Sequence, residues 1–347
     1  MNETQSASQS TTMAADRPQR LVYINGKYVP EDQAGISIFD SALMFGDMVF
    51  EMTRSFNHVQ FKLREHLARL YAGIRVLRIP LQLTIDELEG LVHEVVEHNR
   101  PALDDRDEER VMVNVSRGPL SIYRPVFDGY TGPTVAISVC PLSWTLGCSP
   151  DLYETGVHAV TPAQQAIPAH LLDPKIKNRS RLHYMMANLQ VSLIHDPAAW
   201  ALLLDPDGYV TEGTGSNFFI VTGGELLTPE PRNILRGITR RHTMDLALQM
   251  GIPVRECNIE LYDVINADEA FFTSTPFTLM PCNRINDIDI GDGTIGPVTQ
   301  TLMEAWSEDR GMDVFAQAKE LVKLAPAMVG EGPHTYRFVS DNEPDPE

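Results

Sequence analysis

Four β-hairpin patterns, two in each half of the sequence, set the first limits on how this chain can fold. In the first, Asn25-Gly26 separates the strand-like runs LVYI and KYVP, and both turn positions require a positive φ that these residue types tolerate. The second turns at Asn57-His58, and the other two read ALLLD-PDG-YVTE and NFFIVT-GG-ELLT. Single strands are also predicted at residues 111–115, 134–139, 157–161 and 270–275.

Helical patterns lie between and after the hairpins. Residues 64–77 (REHLARLYAGIRVL) place their apolar side chains on one helix face, and Thr84 with Glu87 forms a capping-box pattern before a second helix. Further helices are predicted at residues 181–193, at 239–250 and from 297 onwards. Because strands and helices mix without a regular βαβα alternation, the sequence predicts an α/β protein of the α+β type rather than a doubly wound sheet.

The length of the chain suggests more than one domain. At roughly 150 residues per domain, 347 residues correspond to about two. The periodic spacing of apolar residues is interrupted at residues 143–151 (SWTLGCSPD), where we expect the linker between the two domains. The predicted division is a disordered leader at 1–20, a smaller N-terminal α/β domain at 21–145, a larger C-terminal domain at 153–325 and an acidic tail at 326–347.

The charge balance excludes some classes of partner. Against 47 Asp and Glu stand 28 Lys and Arg, a net charge of −19, which argues against nucleic acid and anionic membranes as partners. The four cysteines are scattered without a CxxC pair, so neither a metal site nor a disulfide framework is expected. No apolar run approaches about 18 residues and no signal-peptide pattern is present, so the expected location is cytoplasmic.

The stretch DPKIKNRSR at residues 173–181 is the first that suggests chemistry. Four basic residues, Lys175, Lys177, Arg179 and Arg181, fall within seven positions. A lysine amine becomes a useful nucleophile when burial or nearby cations lower its pKa, so this run could activate a lysine for Schiff-base chemistry. A solvated helix start that balances local charge is the competing interpretation.

The stretch TEGTGSNFF at residues 211–219 places a carboxylate before two glycines and an amide. Glycines let the backbone approach a planar ligand closely. A buried Glu212 would require a cationic partner, and a protonated pyridine nitrogen would serve. The competing interpretation is a turn with Glu212 in solvent.

Three places offer groups that suit a phosphate. LRGITR at residues 235–240 opens a predicted helix, where free backbone amides and the Thr239 hydroxyl can bind an anion. TSTP at 273–276 offers hydroxyls at a strand end, and Arg69 offers a guanidinium fork. Each also has an ordinary explanation: helix capping by Thr239, a simple turn, or a solvated arginine.

Together, the order and spacing of these stretches resemble the signature of the class IV pyridoxal-phosphate aminotransferases. That family includes branched-chain amino acid aminotransferases, D-amino acid aminotransferases and aminodeoxychorismate lyase. The matching motifs are FGDMVFE at 45–51, HLARL at 66–70, Ile176-Lys177, ExTxxNFF at 212–219, LxT at 226–228 and LxGIxR at 235–240. The resemblance covers roughly residues 21–306 and implies two domains with pyridoxal 5′-phosphate at their interface, usually in a homodimer.

The resemblance also implies roles for individual residues. Lys177 looks like the lysine that forms the Schiff base, with Lys175 as its rival; Lys177 is preferred because it directly precedes Asn178 and the coming helix, where the family places its lysine. Glu212 looks like the partner of the pyridine nitrogen, whose protonation makes the ring an electron sink. The other implied cofactor contacts are Arg69, Leu235, Gly237, Ile238, Thr239, Ser274 and Thr275.

Substrate choice in this family depends mostly on the first domain. Phe45 and Phe50 match positions that line the side-chain pocket, which suits a hydrophobic amino acid, unless they are core aromatics. Two departures weaken the branched-chain assignment: Leu182 stands where that branch has a tyrosine, and residues 111–115 lack its arginine.

Two loop arginines are alternatives for binding the substrate. Arg117 or Arg124 could take the substrate carboxylate in place of the missing strand arginine, with Arg124 as the preferred candidate.

The expected activity is amino transfer between a branched-chain L-amino acid and a 2-oxo acid such as 2-oxoglutarate. A D-amino acid aminotransferase and an aminodeoxychorismate lyase that uses the same lysine are the alternatives. A non-enzymatic vitamin carrier is disfavoured because the implied cofactor residues are present together.

Overall fold

The computed structural model describes residues 17–123, 131–146 and 151–325, and the chain divides into two compact units. Unit 1 holds the chain up to Leu142 together with Asn178–Ser180, and unit 2 holds Ser143–Lys177 and the chain from Arg181 onwards. Of the expected linker, Ser143–Leu146 is a short helix, whereas residues 147–150 lie outside the described residues, as do the tail and most of the leader.

Asn178–Ser180 lie in unit 1 although the neighbouring chain on both sides lies in unit 2. Asn178 forms an isolated antiparallel bridge with Val49, and the Arg179 amide donates to the Met48 carbonyl at 2.9 Å. These backbone contacts hold the short segment against a strand of unit 1.

Unit 1 is built on a six-stranded antiparallel sheet in the order β2-β1-β6-β5-β3-β4. Its strands are β1 (Leu21–Ile24), β2 (Lys27–Pro30), β3 (Met48–Phe56), β4 (Val59–Gln60), β5 (Glu109–Ser116) and β6 (Val135–Pro141). The two hairpins predicted for this unit are confirmed. Their turns have φ of 48° and 87° at Asn25-Gly26 and of 51° and 60° at Asn57-His58.

The described part of unit 1 also contains three α-helices: α1 (Ser41–Phe45), α2 (Leu63–Leu77) and α3 (Ile85–Asn99). The helix predicted at residues 64–77 is confirmed as α2, and its buried side includes Leu67 and Leu70. The predicted capping box is also confirmed, because the Thr84 hydroxyl accepts from the Glu87 amide at 3.2 Å and the Glu87 carboxylate accepts from the Thr84 amide at 2.7 Å. Helix α2 packs on β3, and α3 packs on β1 and β6.

A buried carboxylate fixes the turn between β3 and β4. Glu108 accepts the amides of Asn57 at 2.8 Å and His58 at 3.1 Å, together with the Ser55 hydroxyl. Two successive non-glycine residues at positive φ are unfavourable by themselves, so these hydrogen bonds are what hold the turn. The Glu109 carboxylate beside it pairs with the His58 Nδ1 at 3.0 Å.

Unit 2 is built on a nine-stranded sheet whose main path is β12-β11-β10-β13-β14-β7-β8-β9, with β15 beside β14. Its strands are β7 (Val157–Val160), β8 (Ala199–Leu204), β9 (Val210–Gly213), β10 (Asn217–Thr222), β11 (Glu225–Pro229), β12 (Val254–Cys257), β13 (Glu269–Ser274), β14 (Thr278–Ile285) and β15 (Ile288–Asp289). Strand β9 also pairs with β10, so six strands close into a ring from β10 through β13, β14, β7, β8 and β9.

The helices of unit 2 are α4 (Ser143–Leu146), α5 (Leu152–Thr155), α6 (Leu182–Ser192), α7 (Ile238–Gln249), α8 (Leu261–Ile265), α9 (Pro297–Arg310) and α10 (Val314–Val322). The three helices predicted for this part of the chain are confirmed as α6, α7 and α9. Strand β14 is not among the strands predicted from the sequence; Pro281 lies inside it, and proline normally argues against a central strand. No helix in the described part of the chain is long and apolar enough to cross a membrane.

Candidate active site

Glu212 is a buried carboxylate where the ring of strands in unit 2 closes. It lies in β9 opposite Asn217 of β10, and Asn217 lies opposite Thr273 of β13. Directly opposed residues on neighbouring strands place their side chains side by side on one face. Because Glu212 is only 5% exposed, the alternative of a solvated turn is wrong.

Three donors converge on this carboxylate. Its Oε1 accepts from the Tyr184 hydroxyl at 2.9 Å. Its Oε2 accepts from Asn217 Nδ2 at 3.0 Å and from the Leu235 amide at 2.9 Å. Donors from a helix, a strand and a loop therefore fix the orientation of one carboxyl group.

The environment of Glu212 acts on its pKa in both directions. Burial raises the pKa of Glu212, while the hydrogen bonds from Leu235 and Tyr184 and the charges of Arg181 and Lys177 lower it. Burial prevails, so the pKa lies above its ordinary value. A buried anion in this state gains from a further cationic hydrogen-bond donor.

The two candidate lysines have different surroundings. The charge of Lys177 acts on the Glu212 carboxyl group. The Lys175 amine instead pairs with Asp173 at 2.8 Å and donates to the Arg232 carbonyl at 3.0 Å. The Lys175 ammonium group is therefore engaged by a carboxylate of its own loop.

The N-terminus of α7 offers backbone donors. Gly237 is the N-cap residue and contributes no side-chain cap, so capping by Thr239, the ordinary explanation for this segment, is wrong. Ile238 and Thr239 form the first turn, and amides of a first turn have no acceptor within the helix. Thr239 is 5% exposed, which places it on the inner side of this turn.

Hydroxyl groups gather where β13 meets β14. The hydroxyl oxygens of Thr273, Ser274 and Thr278 are buried and have no hydrogen-bond partner. Thr275 lies in the turn between these strands, which ends at Thr278 with a φ of 64°. Buried hydroxyls without partners are rare in folded proteins, so this turn is suited to a ligand with oxygen acceptors.

Asn217 links the carboxylate to the segment before α7. Besides binding Glu212, its Nδ2 donates to the Leu235 carbonyl at 2.9 Å. A Cβ atom on Gly237 would lie 2.1 Å from Asn217 Oδ1, so a larger residue here would force the Asn217 side chain to move. Sequence reasoning included Asn217 in the motif but assigned it no role.

Tyr184 and Arg181 are site residues that sequence reasoning missed. Burial and the Glu212 charge raise the pKa of Tyr184 well above its ordinary value, so the hydroxyl keeps its proton and acts as a donor. The Arg181 guanidinium lies 4.7 Å from the Tyr184 ring centroid and donates to the Thr214 carbonyl. Leu182, at the position where the branched-chain enzymes have a tyrosine, is 74% exposed. Tyr184 follows two residues later, and this nearby tyrosine is the sequence signal from which its role could have been predicted.

In unit 1, Arg69 lies in a buried ion-pair cluster. Its Nε and Nη2 donate to the two oxygens of Glu51 at 2.6 and 2.7 Å, and His66 Nδ1 lies 2.8 Å from Glu51 Oε2. Burial raises the pKa of Glu51, but Arg69 and His66 outweigh it and hold that pKa far below its ordinary value. The alternative of a solvated Arg69 is therefore wrong, whereas its role as a phosphate contact stays a prediction.

The two predicted pocket phenylalanines differ in exposure. Phe45, at the end of α1, is largely exposed, whereas Phe50 in β3 is buried. The Arg179 guanidinium lies 3.8 Å from the centroid of the Phe50 ring. Sequence reasoning did not assign this arginine to the substrate.

Of the two loop arginines considered for the substrate carboxylate, Arg117 lies within the described residues. Arg117 binds both oxygens of Asp47, at 2.7 and 3.3 Å, and donates to the carbonyls of Leu77 and Arg78 at the end of α2. These contacts give Arg117 a structural role. Arg124 lies outside the described residues.

The residues of unit 2 fit pyridoxal phosphate by their chemistry. Glu212 offers a buried anion for a pyridinium nitrogen, and Lys177 offers an amine that is electrostatically coupled to it. The unpartnered Ser274 hydroxyl and the amides that begin α7 offer donors for phosphate oxygens. Four kinds of group that the cofactor requires are thus present in one unit.

Comparisons with known proteins agree with this chemistry. Residues 48–285 match the model of the amino-transferase class IV family. A Methanocaldococcus jannaschii protein with the provisional name branched-chain-amino-acid aminotransferase is 35% identical over 291 residues, 83% of this chain and 96% of that protein. The D-alanine aminotransferase of Bacillus licheniformis is 30% identical over 286 residues, 82% of this chain and 95% of that enzyme.

A solved structure extends the likeness to the fold. The crystal structure of the T.th. branched-chain amino acid aminotransferase with pyridoxamine 5′-phosphate has a TM-score of 0.74 and 28% identity, covering 85% of this chain and 95% of that chain. The two-domain α/β fold expected from the sequence agrees with this match. By its family match, its relatives and its fold, this chain belongs to the class IV aminotransferases.

Proposed function

We propose that this protein is a pyridoxal-phosphate-dependent aminotransferase that moves an amino group between a branched-chain L-amino acid and a 2-oxo acid such as 2-oxoglutarate. The observation that carries the proposal is the buried Glu212 carboxylate, oriented by Tyr184, Asn217 and Leu235. A carboxylate held in this way suits the protonated ring nitrogen of the cofactor, because a buried charge requires a charged partner.

The residues of unit 2 divide the work of holding the cofactor and moving protons. Pyridoxal phosphate, when bound, supplies an electron sink for the substrate carbon. Glu212 would hold the proton on the ring nitrogen, and Lys177 Nζ would hold the cofactor and move the proton at the substrate Cα. Further cofactor contacts are assigned to Leu235, Gly237, Ile238, Thr239, Ser274 and Thr275.

The substrate assignment is supported by the relatives and by the apolar side chain of Phe50. The M. jannaschii relative and the T.th. enzyme both carry branched-chain names. A D-amino acid aminotransferase is the second candidate. Its support is the likeness to the D-alanine enzyme and Leu182, which occupies the position of the branched-chain tyrosine.

We also propose that the protein works as a homodimer in the cytoplasm. In unit 1, Ile38, Leu43 and Phe45 are 70%, 63% and 66% exposed. Contiguous exposed apolar surface is typical of protein interaction sites. Light scattering at micromolar concentration should give the mass of two chains, and a persistent single-chain mass would contradict the dimer.

The proposed function predicts that the purified protein binds pyridoxal phosphate covalently and that Lys177→Ala abolishes this attachment, because the attacking amine is lost. Borohydride reduction followed by mass spectrometry measures it, with Lys175→Ala as the matched control that should retain the label. A donor panel of L-leucine, L-valine, D-alanine and D-glutamate with 2-oxoglutarate then tests the substrate. Turnover of the D-amino acids alone would reverse the substrate assignment.

A further inference from the structure

We propose that Arg240 is a positioning residue that holds the first turn of α7 in place for the phosphate group of the cofactor. The inference rests on the proposed aminotransferase function, in which the amides that begin α7 bind that phosphate. Arg240 ends the LxGIxR motif and Thr228 ends the LxT motif, and neither residue is among the cofactor contacts that the family resemblance implies.

The side chain of Arg240 is buried and connects α7 to two neighbouring strands. Its Nε donates to the Thr228 hydroxyl at 3.3 Å, and its Nη2 donates to the Pro229 carbonyl at 2.9 Å. The same Nη2 pairs with Glu256 Oε1 at 2.8 Å. Thr228 and Pro229 lie in β11, and Glu256 lies opposite Thr228 in β12. One guanidinium therefore ties the helix to both strands.

The partners of Arg240 explain how its charge can be buried. A guanidinium is stable away from water only where acceptors and an opposite charge replace the water, and β11 and β12 supply both. Because these contacts direct Nε and Nη2 to the sheet, the side chain acts by holding the backbone of its own turn.

The Thr228 hydroxyl extends this anchor to the strand that carries Asn217. It donates to the Phe218 carbonyl of β10 at 2.9 Å, and Phe218 directly follows Asn217. Asn217 in turn binds the Glu212 carboxylate and the Leu235 carbonyl. The anchor of α7 and the buried carboxylate are therefore held by the same strand.

The segment at residues 235–240 is thus fixed at both ends. At its start, the Leu235 amide donates to Glu212 at 2.9 Å, and at its end Arg240 is bound to β11 and β12. Between them lie the N-cap residue Gly237 and the first turn of α7, whose amides have no acceptor within the helix. Several amides bind one phosphate only when they point to the same place, so a turn that is fixed on both sides is preorganised for this anion.

The next residue of the helix, Arg241, provides a matched control. Its guanidinium is exposed and pairs with Asp245 at 2.9 Å. Arg241 carries the same charge as Arg240 beside it, but this ion pair stays within α7 instead of reaching the sheet. The two arginines therefore separate the effect of the anchor from the effect of a charge near the helix terminus.

The inference is tested with Arg240→Met, which removes the donors and keeps an unbranched apolar chain, and with Arg241→Met as the control. Dissociation constants of pyridoxal 5′-phosphate and of pyridoxal, which lacks the phosphate group, are measured by fluorescence titration on the full-length chain freed of cofactor. We expect Arg240→Met to weaken pyridoxal phosphate about tenfold, the order expected when a buried acceptor loses its donor, and to leave pyridoxal unchanged. Arg241→Met should leave both constants unchanged.

Two further variants keep the test decisive if Arg240→Met does not fold. Arg240→Lys should lose only part of the affinity for pyridoxal phosphate, because lysine keeps the charge without the planar fork. Thr228→Val removes one acceptor at nearly constant size, and it should weaken pyridoxal phosphate more than pyridoxal. Circular dichroism identifies the variants that are folded.

The ratio of the two dissociation constants separates positioning of the phosphate turn from a general effect on the fold. Equal weakening of both ligands in the folded Arg240 and Thr228 variants, or unchanged binding of both, overturns the inference and leaves the proposed function standing. An equal loss of pyridoxal phosphate affinity in Arg241→Met also overturns it, because the effect would then belong to charge rather than to the anchor. An unaltered protein that neither holds pyridoxal phosphate nor turns over any donor refutes the function itself.

Discussion

At Glu212, burial and hydrogen bonding act on one carboxyl group in opposite directions. Burial alone would favour the protonated acid, which could not balance a pyridinium ion. The donors on both oxygens lower the pKa again, although not to its ordinary value. Tyr184 supplies one of the hydrogen bonds that lower this pKa.

Tyr184→Phe should raise the pKa of Glu212 further, because it removes a donor that stabilises the carboxylate. Since a protonated Glu212 cannot hold the ring nitrogen, we expect pyridoxal phosphate to bind roughly tenfold more weakly, within the range of one hydrogen bond to a charged group. The loss of affinity on acidification should also begin at a higher pH than in the unaltered protein. Dissociation constants measured as a function of pH give both effects.

The control for this prediction is Tyr262→Phe, which alters a tyrosine whose side chain is exposed in the same unit. It should leave the affinity and its pH dependence unchanged. A Tyr184→Phe variant with the pH profile of the unaltered protein would show that Tyr184 only fills space.

Among the elements, the β3–β4 hairpin shows how a turn is fixed from a distant strand. Asn57 and His58 both adopt positive φ. Their backbone amides donate to the carboxylate of Glu108, which directly precedes β5. His58 is also drawn toward Glu109, the first residue of β5. Burial lowers the pKa of His58, but Glu109 and Glu108 outweigh it and raise that pKa above its ordinary value.

The raised pKa of His58 predicts how the hairpin responds to pH. Since the folded pKa exceeds the unfolded one, the ion pair contributes fully below the unfolded pKa of about 6.5, and this contribution is lost as the pH rises through the folded pKa. The effect should be small because the ring is 40% exposed. An NMR titration of His58 should give a pKa above the ordinary value, and Glu109→Gln should lower it; an unshifted titration in both proteins would contradict the ion pair.

For the whole molecule, the net charge of −19 does not indicate which ligands are bound. The cation assigned to a ligand, Lys177, acts at short range, where local geometry outweighs the distant surface charge. The pairing of β9 with β10 completes the ring of strands and places Glu212 beside Asn217. Because this arrangement exists only in the folded chain, a ligand that binds there should stabilise the fold.

Pyridoxal phosphate should raise the unfolding temperature of the protein, because a ligand that binds only the folded state stabilises it. At a free concentration 100 times the dissociation constant, the gain is about 2.7 kcal/mol. Scanning calorimetry with and without cofactor measures the shift. Lys177→Ala should reduce the shift while Lys175→Ala should keep it, and equal shifts in both variants would contradict covalent attachment at Lys177.

The local elements and the family motif could be derived from the sequence because their signals are short-range. The hairpin turns at Asn25-Gly26 and Asn57-His58, the capping box of Thr84 and helix α7 each depend on a few neighbouring residues. Strand β14 could not be derived, since Pro281 is tolerated there only by its place in the sheet. The residue assignments at Lys177 and Glu212 came from motif spacing and stay predictions about chemistry.

The sequence by itself determined which residue types are available, their order, and the class IV signature that they form. Only the tertiary structure decided which of them meet: that Glu212 is buried, that Tyr184 rather than Leu182 reaches it, that Lys175 is engaged by Asp173, and that Arg179 lies on Phe50. Burial and hydrogen-bond partners depend on strand pairing and helix placement between residues far apart in the chain. No local pattern encodes those distances, so the state of each functional group follows from the fold.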